Sequence, residues 1–153
     1  MPAKSIYLVL DNIRSRENVG SIFRTADGVG VSKIYLCGIT PIPPHPKISK
    51  SALGAEKWVA WEYRKQTWRC LLEIKNQNSK IKIVGLEQTR YSENIFTFKP
   101  SFPLALIVGN EVKGISPKIL KLCDKVVEIP MYGKKESLNV SVATGIALYQ
   151  MVK

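Results

Sequence analysis

The chain has 153 residues, the length of one domain with room for a sizeable core, and its 45% hydrophobic content excludes a disordered tail. Lys and Arg number 23 against 12 Asp and Glu, and the resulting charge of +11 points to a polyanionic partner such as nucleic acid; the plainer reading is a solvated basic surface. Three cysteines far apart in sequence (Cys37, Cys70 and Cys123) and one histidine, His45, give no basis for a disulfide framework, a His-based triad or a His-rich metal site, so no metal is expected.

The first apolar run, "SIYLVL", begins almost at once, so no signal peptide is visible, and no apolar stretch approaches membrane-spanning length. The expected location is the cytoplasm. After "LDNIRSR", residues Val19, Ile22, Phe23 and Ala26 fall on one face of a helix. "KIYLCGI" reads as the next strand, with Cys37 a buried reduced thiol. "SKSALGAEK" predicts a short helix and "WVAWEY" a short strand. "QTWRCLLEIKNQN" places Trp68, Leu71 and Leu72 on one helical stripe. "KIVGLE" and "LALIVG" are further strands, "SPKILKLCDK" opens with a Ser-Pro helix start, and "VVEIPM" is the last strand. The strand runs are continuous rather than alternating, as strands covered on both faces read. Alternation with helices predicts an α/β fold with a mostly parallel sheet and helices on both faces. In the last segment Ser137 or Asn139 caps a helix running to about Met151. Its residues are apolar nearly all round, which suggests a subunit interface.

Two glycine patterns fail as phosphate motifs. "GVGVSK" has Lys33 where a dinucleotide fingerprint needs a third glycine, and it precedes a strand instead of following one. "GNEVKGIS" has Ile115 where a Walker A loop needs lysine. Gly109 still lets backbone approach a ligand closely.

Three constellations carry the chemistry. In "NIRSRENVGSIFRTADGVG", Arg24 projects away from the apolar stripe, and its plain reading is a solvent residue paired with Asp27. Asn18 and Gly20 suit a helix N-terminus that accepts a phosphate, with Arg14 and Arg16 just before it. In "LALIVGNEVKGIS", Asn110 and Glu111 follow a strand end, where open α/β sheets bind ligands; the alternative is an ordinary turn. The third is "MYGKKESLNVSVATGIALYQ", a basic loop running through small polar residues into the final helix.

Together, in this order, "NVGSIFRTADGVGV", "IVGNEVKGIS" and "IPMYGKKESLNVSVATGIALY" resemble the three motifs of the SPOUT superfamily, in its SpoU/TrmH branch of RNA ribose 2'-O-methyltransferases, and "SALGAEKWVAWE" resembles its middle segment. The resemblance covers nearly the whole chain and implies one minimal SPOUT methyltransferase domain over residues 1–153, without the added RNA-binding domain or extensions of larger relatives. It implies a C-terminal trefoil knot, S-adenosylmethionine bound in the knot, and a homodimer. It assigns Leu86, Gly109, Ile129, Met131, Ser137 and Leu138 to the cofactor, and Asn18, Arg24, Glu111, Ser137 and Asn139 to catalysis. Arg14, Arg16 and Arg24 are the expected RNA-binding residues.

The implied reaction is displacement of the cofactor's methyl group by a ribose 2'-hydroxyl, on tRNA in preference to ribosomal RNA. The family places Arg24 at the hydroxyl. A guanidinium holds its proton, so Arg24 is read as the group that binds phosphate and orients the 2'-oxygen, and its service as the literal base stays open. Competing readings are a silent RNA-binding protein on the same fold, a nucleotide-dependent metabolic enzyme, and a base methyltransferase.

Overall fold

The computed structural model describes residues 4–153. Its elements run β1 (Ile6–Asp11), α1 (Arg16–Val29), β2 (Lys33–Cys37), α2 (Pro46–Ala52), a 3-10 turn (Ala55–Lys57), β3 (Trp61–Arg64), α3 (Thr67–Gln77), β4 (Lys82–Leu86), β5 (Glu93–Asn94), β6 (Leu104–Gly109), α4 (Pro117–Leu120), β7 (Lys125–Glu128) and α5 (Val140–Val152). The seven strands form one sheet in the order β3-β2-β1-β6-β4-β7-β5, and every pairing in it is parallel.

Sheet position explains the apolar runs. β6 lies between β1 and β4, with Leu106 opposite both Leu8 and Val84, and all six of its residues are buried. Such a strand meets helices on both faces and needs no polar side. One core layer joins Leu8, Leu10 and Leu106 to Ile22 and Phe23 of α1 and to Ala147, Leu148 and Met151 of α5. The other joins Val9, Ile83 and Ile107 to Cys70, Leu71 and Ile74 of α3 and to Ile119 of α4. Thus α1 and α5 cover one face and α3 and α4 the other.

This layering positions the site. The chain leaves β1 for α1 on one face, while it leaves the adjacent β6 for α4 on the opposite face. The strand ends diverge there, and the crevice outside the carboxyl ends at such a switch point is where open α/β sheets place ligands.

Several local expectations are corrected. The α3 stripe is Cys70, Leu71 and Ile74, whereas Leu72 is 45% exposed and Trp68 half-buried; the sheet selects a face rotated from the one the large Trp suggested. Helix α2 stops at Ala52, because Leu53 takes a left-handed conformation as its C-cap, and "GAEK" continues only as the 3-10 turn. Helix α4 is a single turn. Strand β5 has two exposed residues and no apolar run to announce it. Cys37 is buried and free, as expected.

Candidate active site

Helix α5 begins at Val140 with Asn139 as its N-cap; the Asn139 side-chain oxygen accepts from the backbone N–H of Ser141 and of Val142 at 2.9 and 3.3 Å. This settles the choice between Ser137 and Asn139. With Oδ1 committed to the helix, the Asn139 amide donates to Asn18 Oδ1 at 3.2 Å. Asn18, in the first turn of α1, donates in turn to Glu111 Oε2 at 3.0 Å. The Glu111 carboxylate also accepts the backbone N–H of Arg14 at 2.8 Å and of Ser15 at 2.9 Å. One residue from each of the three constellations therefore joins a single chain of hydrogen bonds.

Glu111 is ionised by design. Burial opposes its charge, but the Arg14 N–H, the Asn18 amide and the Ser15 N–H more than compensate and hold its carboxyl below the usual glutamate range. These bonds occupy part of the front of α1, where a phosphate site was expected. Ser15 is the actual N-cap and takes the Asn18 N–H at 3.1 Å, while Glu111 supplies the anion to the preceding N–H groups. Gly20 has a packing role: a Cβ there would collide with Ser51 and the Ile48 carbonyl of α2.

Beside this network lies a cleft of about 280 Å³. All six residues expected at the cofactor line it: Leu86 from the end of β4, Gly109 from the end of β6, and Ile129, Met131, Ser137 and Leu138 from the segment between β7 and α5. Glu111 and Asn139 line it too. Gly109 is required where the loop doubles back, since a Cβ would sit 2.6 Å from both the Gly114 carbonyl carbon and the Ile115 nitrogen. That return is fixed by Glu87, whose Oε1 accepts the Ile115 N–H at 2.8 Å. The walls offer apolar side chains for a planar base, and three carboxylates, Glu87, Glu111 and Glu128, suit a positively charged ligand; Lys113 is the cation among them. The residues present therefore fit S-adenosylmethionine, which joins an adenine to a sulfonium.

Arg24 does not line this cleft. It is exposed on α1 and has no hydrogen-bond or ion-pair partner among the described residues. The plain pairing with Asp27 is not formed, for Asp27 accepts the indole N–H of Trp58 at 2.8 Å. Arg14 and Arg16 are also exposed. Sequence reasoning missed Glu87 and Glu128 as cleft residues, although both sit inside the quoted runs "KIVGLE" and "VVEIPM". It also missed the backbone of Arg14 and Ser15, because main-chain donors leave no trace in a sequence. Among the described residues no cluster of His, Cys, Asp or Glu could hold a metal ion, and no helix is long and apolar enough to cross a membrane.

Residues 5–149 match the model of the SpoU rRNA Methylase family. The chain belongs to this family. It is 39% identical over 148 residues to the tRNA (guanosine(18)-2'-O)-methyltransferase of Aquifex aeolicus, covering 96% of this chain and 68% of that protein. It is 34% identical over 152 residues to the 23S rRNA (guanosine-2'-O-)-methyltransferase RlmB of Haemophilus influenzae, covering 97% of this chain and 59% of that protein. The chain thus spans roughly three-fifths to two-thirds of the length of these relatives. The crystal structure of the SpoU methyltransferase AviRb from Streptomyces viridochromogenes, in complex with the cofactor AdoMet, superposes with a TM-score of 0.89 at 27% identity, over 98% of this chain and 60% of that one.

Proposed function

We propose that this SpoU-family chain transfers a methyl group from S-adenosylmethionine to a ribose 2'-hydroxyl of RNA, with residues 1–153 acting as a single methyltransferase domain in the cytoplasm. The observation that carries the proposal is the convergence of Leu86, Gly109, Ile129, Met131, Ser137 and Leu138 on one cleft, beside the linked Asn18, Glu111 and Asn139. The related AviRb structure with AdoMet supports the cofactor. Transfer RNA is the substrate class we favour, supported by the higher identity to the Aquifex tRNA enzyme than to the Haemophilus RlmB. A trefoil knot over the segment from β6 to α5 would bring the three cofactor-lining segments together in this way.

The cofactor, when bound, supplies an electrophilic methyl whose sulfur departs as a neutral thioether, so no acid is needed for the leaving group. Leu86, Ile129, Met131 and Leu138 would hold its apolar part, and Gly109 and Ser137 would admit it close to the backbone. Arg24 has an exposed guanidinium with no hydrogen-bond or ion-pair partner among the described residues, and this frees it to hold an RNA phosphate and donate to the 2'-oxygen. A guanidinium has five donors and no acceptor, so Arg24 orients the 2'-oxygen without taking its proton, and the hydroxyl proton passes to solvent. Glu111 is a poor candidate for that proton: both its oxygens accept hydrogen bonds and its carboxyl is stabilised as the anion. It acts as a positioning residue, fixing the Arg14–Ser15 loop and Asn18. Arg14 and Arg16 extend the phosphate-binding surface.

The chain pairs with a second copy through α5. The observation behind this is an apolar stripe, Val142 (51% exposed), half-buried Ile146 and Tyr149 (53% exposed), on the side of the helix away from its buried Ala147 and Leu148.

The test is incubation with RNA and methyl-labelled S-adenosylmethionine, followed by digestion to nucleosides. Label is expected in a 2'-O-methylated nucleoside; label on a base, or none, overturns the proposal.

A further inference from the structure

A second cleft, of about 270 Å³, opens at the carboxyl ends of β1 and β2. It lies on the face of the sheet covered by α3 and α4, as its lining by Thr67, Trp68 and Ile119 shows. No step of the proposed reaction uses it. Its floor holds Asp11, which is only 3% exposed. Asp11 Oδ1 accepts two hydrogen bonds, from the Thr67 hydroxyl at 2.6 Å and from the Asn12 amide at 3.2 Å. Asp11 Oδ2 accepts none among the described residues. Glu56 Oε1 is the one fully sealed side-chain polar atom without a partner among those residues, so Oδ2 is open to the cleft that Asp11 lines. Tethering α3 to β1 needs Oδ1 alone. A carboxylate buried this deeply with a spare acceptor is costly unless a donor completes it.

The other lining groups narrow the class of that donor. Lys65 and Lys118 stand at the cleft, both exposed, and Lys65 has no hydrogen-bond or ion-pair partner among the described residues. Two cations disfavour an amine or a metal cation as the ligand and favour one that also carries negative charge. Trp68 supplies an aromatic wall, with Lys118 Nζ 4.8 Å from its ring centroid. Aromatic rings beside cations are how proteins hold unstacked nucleotides. The volume is close to the lower end of ligand pockets, which start at roughly 300 Å³, and suits one nucleotide. Among the four RNA bases only guanine offers two adjacent donors, N1–H and N2–H, on its Watson–Crick edge, and both can converge on the two lone pairs of the free Oδ2.

We propose that this second cleft binds a guanine nucleotide of the RNA other than the one that is methylated, its donor edge on Asp11, its ring against Trp68 and its phosphate between Lys65 and Lys118. The two clefts are neighbours across the sheet edge: Asn110, which lines the first, donates to the backbone oxygen of Asn12, which lines the second, at 2.8 Å. A strand of RNA crossing that ridge presents its ribose to one face and a guanine to the other. The cleft would therefore select sequence at a distance from the reacting atom. This rests on the RNA reading above.

The test uses guanosine 5'-monophosphate, the other three ribonucleoside monophosphates and inorganic phosphate as probes, with the nitrogen-15-labelled full chain. The three tryptophan indole signals are assigned with Trp68→Phe. The guanine nucleotide should shift the Trp68 signal and bind about tenfold tighter than the others, as expected for a paired base-edge contact. Asp11→Asn keeps an acceptor for Thr67 but turns the free acceptor into a donor, so the guanine preference should vanish. Lys118→Ala, an exposed change, should weaken all four nucleotides alike. Equal shifts from inorganic phosphate and from the nucleotide, or a guanine preference that survives Asp11→Asn, overturn the proposal. S-adenosylmethionine affinity and methyl transfer by the wild type are measured in parallel. If both are present while the guanine nucleotide leaves Trp68 unmoved, the second cleft fails and the methyltransferase reading stands; if both are absent, that reading fails on its own.

Discussion

The two clefts share one sheet edge and differ in how their carboxylates are settled. In the first, Glu111 accepts three hydrogen bonds from the Arg14 and Ser15 backbone and from Asn18, and the protein holds it as an anion. In the second, Asp11 is more deeply buried yet among the described residues has partners on one oxygen only, and burial pushes its carboxyl above the usual aspartate range despite the bonds from Thr67 and Asn12. A charge that the protein completes itself serves to hold a shape. A charge left half complete is available to a ligand. By that criterion Glu111 is the proposed organiser of the reaction site, and Arg24, which has no partner among the described residues, is the group proposed to engage the reacting RNA.

The largest effect should come from Arg24. Arg24→Ala should lower methyl transfer by at least about 10²-fold, the scale for losing an orienting or proton-handling group, while S-adenosylmethionine affinity measured by calorimetry stays within about twofold of wild type. Arg24→Lys should not restore transfer, since an ammonium lacks the planar fork of donors. A turnover near that of wild type would return Arg24 to the solvent.

Gly109→Ala tests the first cleft through its backbone. The added Cβ meets main-chain atoms 2.6 Å away, so the loop must open. Overpacking of this kind costs about 1–3 kcal/mol, and denaturant titration should show that loss together with weakened cofactor binding. Unchanged stability would mean the loop yields freely.

Glu111→Ala removes the acceptor that gathers Arg14, Ser15 and Asn18. Hydrogen bonds to a charged group are worth about 1.5–3 kcal/mol, and partial exposure places the cost in stability toward the lower end. Transfer should fall more than cofactor affinity. Loss of cofactor binding with transfer per bound cofactor intact would contradict the positioning role. Ile146→Asp separates the regions differently: it should yield monomer in sedimentation, because it puts an unpaired charge into the proposed α5 interface. A wild type that sediments as a monomer would remove the interface.

The smallest effects are in pH. The Glu111 carboxyl lies below its ordinary range when folded, so its stabilisation is present above that range and is lost as pH falls through the folded value. The Asp11 carboxyl lies above its ordinary range, so its contribution is most favourable at acid pH and is lost as pH rises through the folded value. Stability curves of Glu111→Gln and Asp11→Asn, each taken relative to wild type, should therefore slope in opposite directions. Parallel slopes would show that the two carboxylates are alike.

Much of this was legible in the sequence, for identifiable reasons. Strands such as "LALIVG" announce themselves because burial on both faces leaves no polar position. The six positions that the family resemblance assigned to the cofactor meet in one cleft. What stayed hidden depends on groups a sequence does not display. The Glu111 partners are main-chain donors. Strand β5 is two exposed residues, paired with β7 through its backbone and an exposed Glu93–Lys125 ion pair. The α3 stripe was misplaced by one position because helical periodicity fixes a face only to within a residue, and the sheet chose Cys70 and Ile74 over Leu72. The spare oxygen of Asp11 emerges only once Thr67 is seen beside it.

The central claim, that the first cleft and not the second holds the cofactor, is tested most directly by titrating S-adenosylmethionine into the wild type, Leu138→Lys and Asp11→Asn by calorimetry. Leu138 lines the first cleft, and a lysine there sets a cation against a cationic ligand; Asp11 lines the second. One cofactor per chain should bind in the wild type and in Asp11→Asn, with at least about tenfold weaker binding in Leu138→Lys, as a like charge worth about 1.4 kcal/mol would give. Binding that is lost in Asp11→Asn and kept in Leu138→Lys would contradict the claim.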